Sequence, residues 1–184
     1  MGTRASSEAN LLLRLCGAAA IAGGGLRVAD AYLAVAAAAR AQQIAYFVTD
    51  LLLLLGLCGV YWPRRKALGL VGFLGFGASI AGLVIVRSSG LNGLGSNSYL
   101  IGAAVTLIGV VAMGAVMLVR KAFPKLGPAL WIASLIVGLI GLLSAKPSGA
   151  VALAGVIFGV GFIVAGINLL QPNSATPRDE RRIS

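Results

Sequence analysis

The chain has 184 residues, of which 59% are hydrophobic and 26 are glycine, while charged residues make up only 11%. A soluble domain carries about a quarter of its residues charged, so this composition excludes an ordinary water-soluble enzyme and a disordered polymer and points to the bilayer. Fifteen basic residues stand against five acidic ones and histidine is absent, which removes imidazole acid–base chemistry and the common zinc, copper and non-haem iron sites.

About 20 apolar residues at 1.5 Å rise cross a hydrocarbon layer of roughly 30 Å. Six segments of the chain meet that requirement. Residues 1–10 are read as a short cytoplasmic lead into the first span, 11–31, which carries Arg14, Arg27 and Asp30 toward its ends. Arg14 interrupts its apolar run, and a bulky Leu15 precedes Cys16, so neither a removable signal peptide nor a lipoprotein site is expected. The second span, 44–62, holds Asp50 inside it. Tyr46 and Phe47 at one end and Tyr61 and Trp62 at the other read as interfacial aromatic anchors, with Tyr99 and Trp131 placed similarly in later spans. Spans three to six, 67–86, 98–119, 128–145 and 149–170, contain no charged side chain. Pro63-Arg64-Arg65-Lys66, the polar stretch 87–97, the loop 120–127 and Lys146-Pro147-Ser148 separate them. A polar tail, 171–184, has too little apolar surface to fold alone.

Short connections force neighbouring spans to run antiparallel. The expected fold is therefore an all-α integral membrane bundle of six transmembrane helices, three hairpins packed as one domain over 11–170. Apolar residues continue all round each segment, which argues against helices lying flat in the interface. With the N-terminus inside, the cytoplasmic segments receive Arg4, Arg14, Arg64, Arg65, Lys66, Arg120, Lys121, Lys125, Arg178, Arg181 and Arg182. The opposite face receives Arg27, Arg40, Arg87 and Lys146. Eleven against four places both termini in the cytoplasm and accounts for the +10 net charge without nucleic acid. Basic loops at headgroup level attract anionic lipid by about 1 kcal/mol per cation.

An ionisable group within a span is costly and normally faces a partner in the bundle. Asp50 is such a group, six residues in from Ile44, or roughly 9 Å deep by the helical rise. Arg27 on the first span is expected at a similar depth, with Asp30 one turn further out as a second carboxylate. The candidate polar cluster is thus Arg27, Asp30 and Asp50: either an ion pair orienting two helices, or a site open to the outer face that exchanges a proton or holds a small cation. Cys16 and Cys58 read as neighbouring small core residues at the reducing side. Asn168 is expected to find its partner in water or headgroups.

Small residues at four-residue spacing let helix backbones approach closely in lipid. Gly155 and Gly159, Gly161 and Ala165, Gly75 and Ser79, Gly77 and Ala81, and Ser134 and Gly138 are such pairs, usable within the chain, in a homodimer or against another membrane protein. Gly23-Gly24-Gly25 is expected to loosen the first helix just before Arg27. The third and fifth spans both begin Ala-Leu and end with a basic residue followed by Ser-Gly, which suggests duplicated hairpins.

Residues 12–25, the run 50–61 ending Gly59-Val60-Tyr61, and Leu68-Gly69-Leu70-Val71-Gly72-Phe73 resemble small uncharacterised multi-pass membrane proteins of bacteria. The resemblance covers the first half of the chain and implies a bacterial cytoplasmic membrane location and no activity. No catalytic residue, cofactor or metal is expected, because neither a nucleophile with a base nor a ligand set is present. The function expected is that of a non-catalytic membrane component or partner of a larger assembly; the alternative is a small transporter or channel using Asp50.

Overall fold

The structure, a computed structural model, describes residues 2–33, 39–91, 95–143 and 147–171. They form α1 (Gly2–Leu33), α2 (Ala39–Tyr61), a 3-10 turn (Trp62–Arg64), α3 (Arg65–Leu91), α4 (Gly95–Val119), α5 (Leu126–Leu143) and α6 (Pro147–Leu170). No strand occurs among the described residues. Five apolar helical stretches are long enough to cross a membrane, one of them running from Gln42 to Val86 through the 3-10 turn. The protein is therefore a helical membrane protein by the length and apolarity of its helices. The expected tail from 172 onward lies outside the described residues. α1 begins at Gly2, so the expected N-terminal lead continues the first helix.

The stretch from Gln42 to Val86 folds back on itself. Tyr61 stacks on Phe76 with ring centroids 4.3 Å apart and planes 7° from parallel, and Asp50 and Leu54 face Ile80, Leu83 and Val84. A straight helix would put Tyr61 and Phe76 about 22 Å apart. Two local devices turn the chain. Pro63 sits in the first turn of the 3-10 segment, where its missing N–H costs nothing. Gly69 then adopts φ 60°, ψ −156°, a backbone region essentially restricted to glycine.

α1 packs on α2 and on α6, α3 on α4, and α5 on α4 and α6, while α2 and α3 touch only slightly. Backbone-to-backbone contacts set the registers. Gly17 lies against Gly166 and Gly24 against Gly159, Ala20 lies against Gly56, Gly75 against Gly109, and Gly82 against Gly102 and Thr106. Each pairing is antiparallel. Glycine serves here by letting one helix seat its carbonyls on the next, the packing that lipid favours because no water is expelled. Gly23-Gly24-Gly25 does not loosen α1, which stays helical throughout; Gly23 and Gly24 are used against Leu52–Leu53 and Gly159. Gly75 and Ser79 both pack on α4, and Ser79 Oγ donates to the Gly75 carbonyl at 2.8 Å. Gly77 meets nothing within 4 Å and takes no part in that face. Between α5 and α6, Ser134 Oγ donates to the Ala154 carbonyl at 2.8 Å.

The largest buried side chains gather at one end, where the α2–α3 turn and the α4–α5 loop lie: Leu57, Val60, Leu68, Met113, Met117, Trp131 and Phe162. Trp131 is fully buried and tilts against Phe162 at 5.2 Å, and Tyr61 is 7% exposed. Both correct the expectation of interfacial anchors: Trp131 seats against Gly161, which leaves ring-sized space, and Tyr61 is covered by the Phe76 ring. Trp62 is exposed. The Tyr99 side chain lies outside the described residues. Asn168 donates to its own helix at the Val164 carbonyl, 2.9 Å, so it needs neither water nor headgroup for that donor. Cys16 packs against Gly59, and both cysteines are free thiols.

α4 closes with a Schellman arrangement. The Ala122 N–H donates to the Met117 carbonyl at 3.0 Å and the Lys121 N–H to the Leu118 carbonyl at 3.3 Å. Lys121 takes the left-handed position with φ 50°, which costs a non-glycine residue about 1–2 kcal/mol.

Candidate functional site

The α1–α2 register is set by two contacts, Ala20 against Gly56 and Gly23 against Leu52–Leu53. Continued outward, it brings Arg27 level with Val48 and Thr49, one residue from Asp50. Asp30 follows Arg27 by three positions on the same helix, so the two share a face. Both Arg27 and Asp50 lie within electrostatic reach of the Asp30 carboxyl. The three side chains singled out by the sequence thus occupy one neighbourhood on α1 and α2, away from the end where the large core residues gather. Asp30 Oδ2 is closed off from solvent and accepts no hydrogen bond among the described residues.

Arg27 also reaches a third helix. Its Nη2, Nε and Cζ atoms lie 3.7, 3.8 and 3.9 Å from where a Cβ on Gly155 would stand, so the guanidinium packs against that glycine. A methyl at Gly155 would meet the guanidinium only in ordinary contact, whereas Gly159, one turn along, seats α1 and α6 backbone to backbone and has no space for one. The GxxxG spacing identifies both positions and does not separate the two uses.

Asp50 borders a groove between α2 and α3 with a volume of about 200 Å³, lined also by Phe47, Leu51, Leu54, Ile80, Leu83 and Val84. Those residues recur at three- and four-residue steps on each helix, giving two facing ridges with a channel between them. Among the described residues no glycine pair joins α2 to α3 as pairs join α3 to α4 and α1 to α6. Only the tertiary arrangement reveals the groove, since nothing in the α2 or α3 sequence marks which side of an all-round apolar helix is left uncovered.

Two carboxylates and a guanidinium thus share a weakly polar setting. The chemistry open to it is ion pairing, proton exchange and cation binding. Among the described residues no three His, Cys, Asp or Glu side chains come together as a metal site. No known protein family, curated protein or solved structure matches the chain.

Proposed function

We propose that the protein is a non-catalytic component of a membrane assembly, crossing the bilayer six times with both termini in the cytoplasm, and that it receives a transmembrane helix of a partner in the α2–α3 groove. The observation that carries this reading is the uneven closure of the bundle. Glycine pairs seat α1 on α6 and α3 on α4, while α2 and α3 stand apart over Phe47, Leu51, Leu54, Ile80, Leu83 and Val84. Two ridges with that spacing match the surface of a third helix. The antiparallel return of α3 against α2 supports counting the stretch from Gln42 to Val86 as two crossings, and the basic residues of the turn support placing it in the cytoplasm.

The test places a photo-crosslinking residue at Val84 on the groove and, as control, at Leu143, which is highly exposed elsewhere. In native membranes a stoichiometric protein adduct is expected from Val84 and not from Leu143, and Leu54→Trp, which fills the groove, abolishes it. Equal labelling at both positions, or lipid adducts alone, overturns the docking reading. Reporter fusions at residues 64 and 184 active only outside the cytoplasm overturn the topology.

A second reading, transport of a proton or small cation, is favoured by one observation: Asp50 borders the same groove and lies close to the Arg27–Asp30 face. Asp50→Asn that leaves protein abundance intact and abolishes flux in proteoliposomes supports transport. Loss of abundance without a flux defect supports a structural ion pair.

A further inference from the structure

We propose that the α2–α3 turn and the α4–α5 loop together form one binding site for the phosphate headgroup of an anionic phospholipid. The inference needs the chain to lie in a bilayer and does not depend on the groove having an occupant.

The two loops are joined side by side by Arg64. Its Nε donates to the Ala122 carbonyl at 3.0 Å, its Nη1 to the Val60 carbonyl at 3.4 Å, and its guanidinium carbon lies 4.6 Å from the centre of the Phe123 ring. Burial on the turn pushes the Arg64 guanidinium down to about 10, so it keeps its charge at neutral pH. Arg64 is thus committed to structure, while Arg65 Nη1 donates to the Trp62 carbonyl at 3.4 Å. Arg65 and Lys66 follow Arg64 directly, Arg120 and Lys121 precede Ala122, and Lys125 comes three residues later. All five are exposed. No acidic residue occurs anywhere in 51–178, so α3 to α6 offer these cations no carboxylate, and a balancing anion has to come from elsewhere.

Three features point to a lipid as that anion. Arg65 stacks on Trp62 with its guanidinium carbon 4.4 Å from the ring centre. Trp62 is itself exposed, and an exposed indole next to a span belongs at headgroup level. Val119 and Leu126, the residues that end α4 and begin α5, are exposed apolar side chains directly below the basic loop and offer an acyl chain its first contacts. Finally, Lys121 holds the left-handed position that helix ends ordinarily give to glycine. A lysine kept there stands in the chain between Arg120 and Ala122, whose carbonyl accepts from Arg64.

The experiment measures thermal melting of the full chain in mild detergent with added phosphatidylglycerol, phosphatidylcholine or inorganic phosphate. Phosphatidylglycerol is expected to raise the midpoint by several degrees, with phosphatidylcholine and inorganic phosphate giving no comparable shift. Arg65→Gln with Lys121→Gln and Lys125→Gln should remove more than half of that shift, and Arg14→Gln, an exposed cation on α1, should leave it whole. Lys121→Gly separates lipid binding from fold maintenance: it should raise the lipid-free midpoint and still reduce the phosphatidylglycerol shift. An equal response to phosphatidylcholine, an equal response to inorganic phosphate, or a full shift in the triple variant or in Lys121→Gly overturns the proposal. So does the absence of any shift in the wild type.

Discussion

Two adjacent glycines of α1 should respond in opposite directions to the same methyl group. A Cβ at Gly24 would overlap the Gly159 carbonyl oxygen and stand 2.9 Å from Ile163 Cγ1 and 3.1 Å from the Ile163 nitrogen. Two of those three atoms are backbone and have no rotamer to change, so the helices must separate by about an ångström along a seam that also carries Gly17 on Gly166. Overpacking of this kind costs typically 1–3 kcal/mol. The rigidity of the obstacle argues for the upper part of that range, and Gly24→Ala is expected to lose about 2–3 kcal/mol, a roughly 30- to 150-fold fall in the folded-to-unfolded ratio. At Gly25 nothing lies within 4 Å. Gly25→Ala gains helix propensity of up to about 1 kcal/mol and meets no obstacle, so it should be neutral or stabilising. Equilibrium unfolding in mixed micelles of a mild detergent and sodium dodecyl sulfate reads both. If the two substitutions destabilise alike, the glycines act through the bending of α1 and the packing argument fails; a neutral Gly24→Ala refutes the α1–α6 seam itself.

The same contrast applies on α3. Gly69 has open space around it but a φ of 60°, so Gly69→Ala should cost about 1–3 kcal/mol, while Gly77→Ala, equally open and helical, should cost nothing measurable in the same unfolding assay. Trp131 is fully buried and its Nε1 has no hydrogen-bond partner among the described residues. Trp131→Phe, which keeps an aromatic ring and removes the orphaned donor, should therefore stay within about 1.5 kcal/mol of wild type, whereas Trp131→Ala should lose about 3–5 kcal/mol; equal losses would show that the indole N–H has a partner. Ser134→Ala removes a donor that crosses from α5 to α6 and should cost about 0.6–1.7 kcal/mol, measured by the same denaturation midpoint. Arg64→Ala should cost about 2–3 kcal/mol through the lost bond to Ala122 and the lost stacking on Phe123, and limited proteolysis should then cut the α4–α5 loop; an uncut loop would show that Arg64 does not hold it.

The sequence alone determined the solvent this chain folds in and where its helices lie. Both depend on sums along the chain: enough apolar residues in a row to cross a layer of fixed thickness, and a cluster of basic residues or a proline where the row stops. Arg27, Asp30 and Asp50 were legible for a related reason, because a charged group stands out against an apolar background whatever its neighbours are. Which side of each helix faces which partner was not legible. A helix in lipid is apolar all round, so its sequence carries no phase of the kind an amphipathic stripe gives a soluble helix, and glycines look alike until something is placed opposite them. Tertiary packing alone decided that Gly24 carries a seam while Gly25 carries nothing, and that Gly155 faces a guanidinium while Gly159 seats a backbone. It also decided that Trp131 fills the core while Trp62 stays at the rim, and that α2 and α3 stand apart beside Asp50.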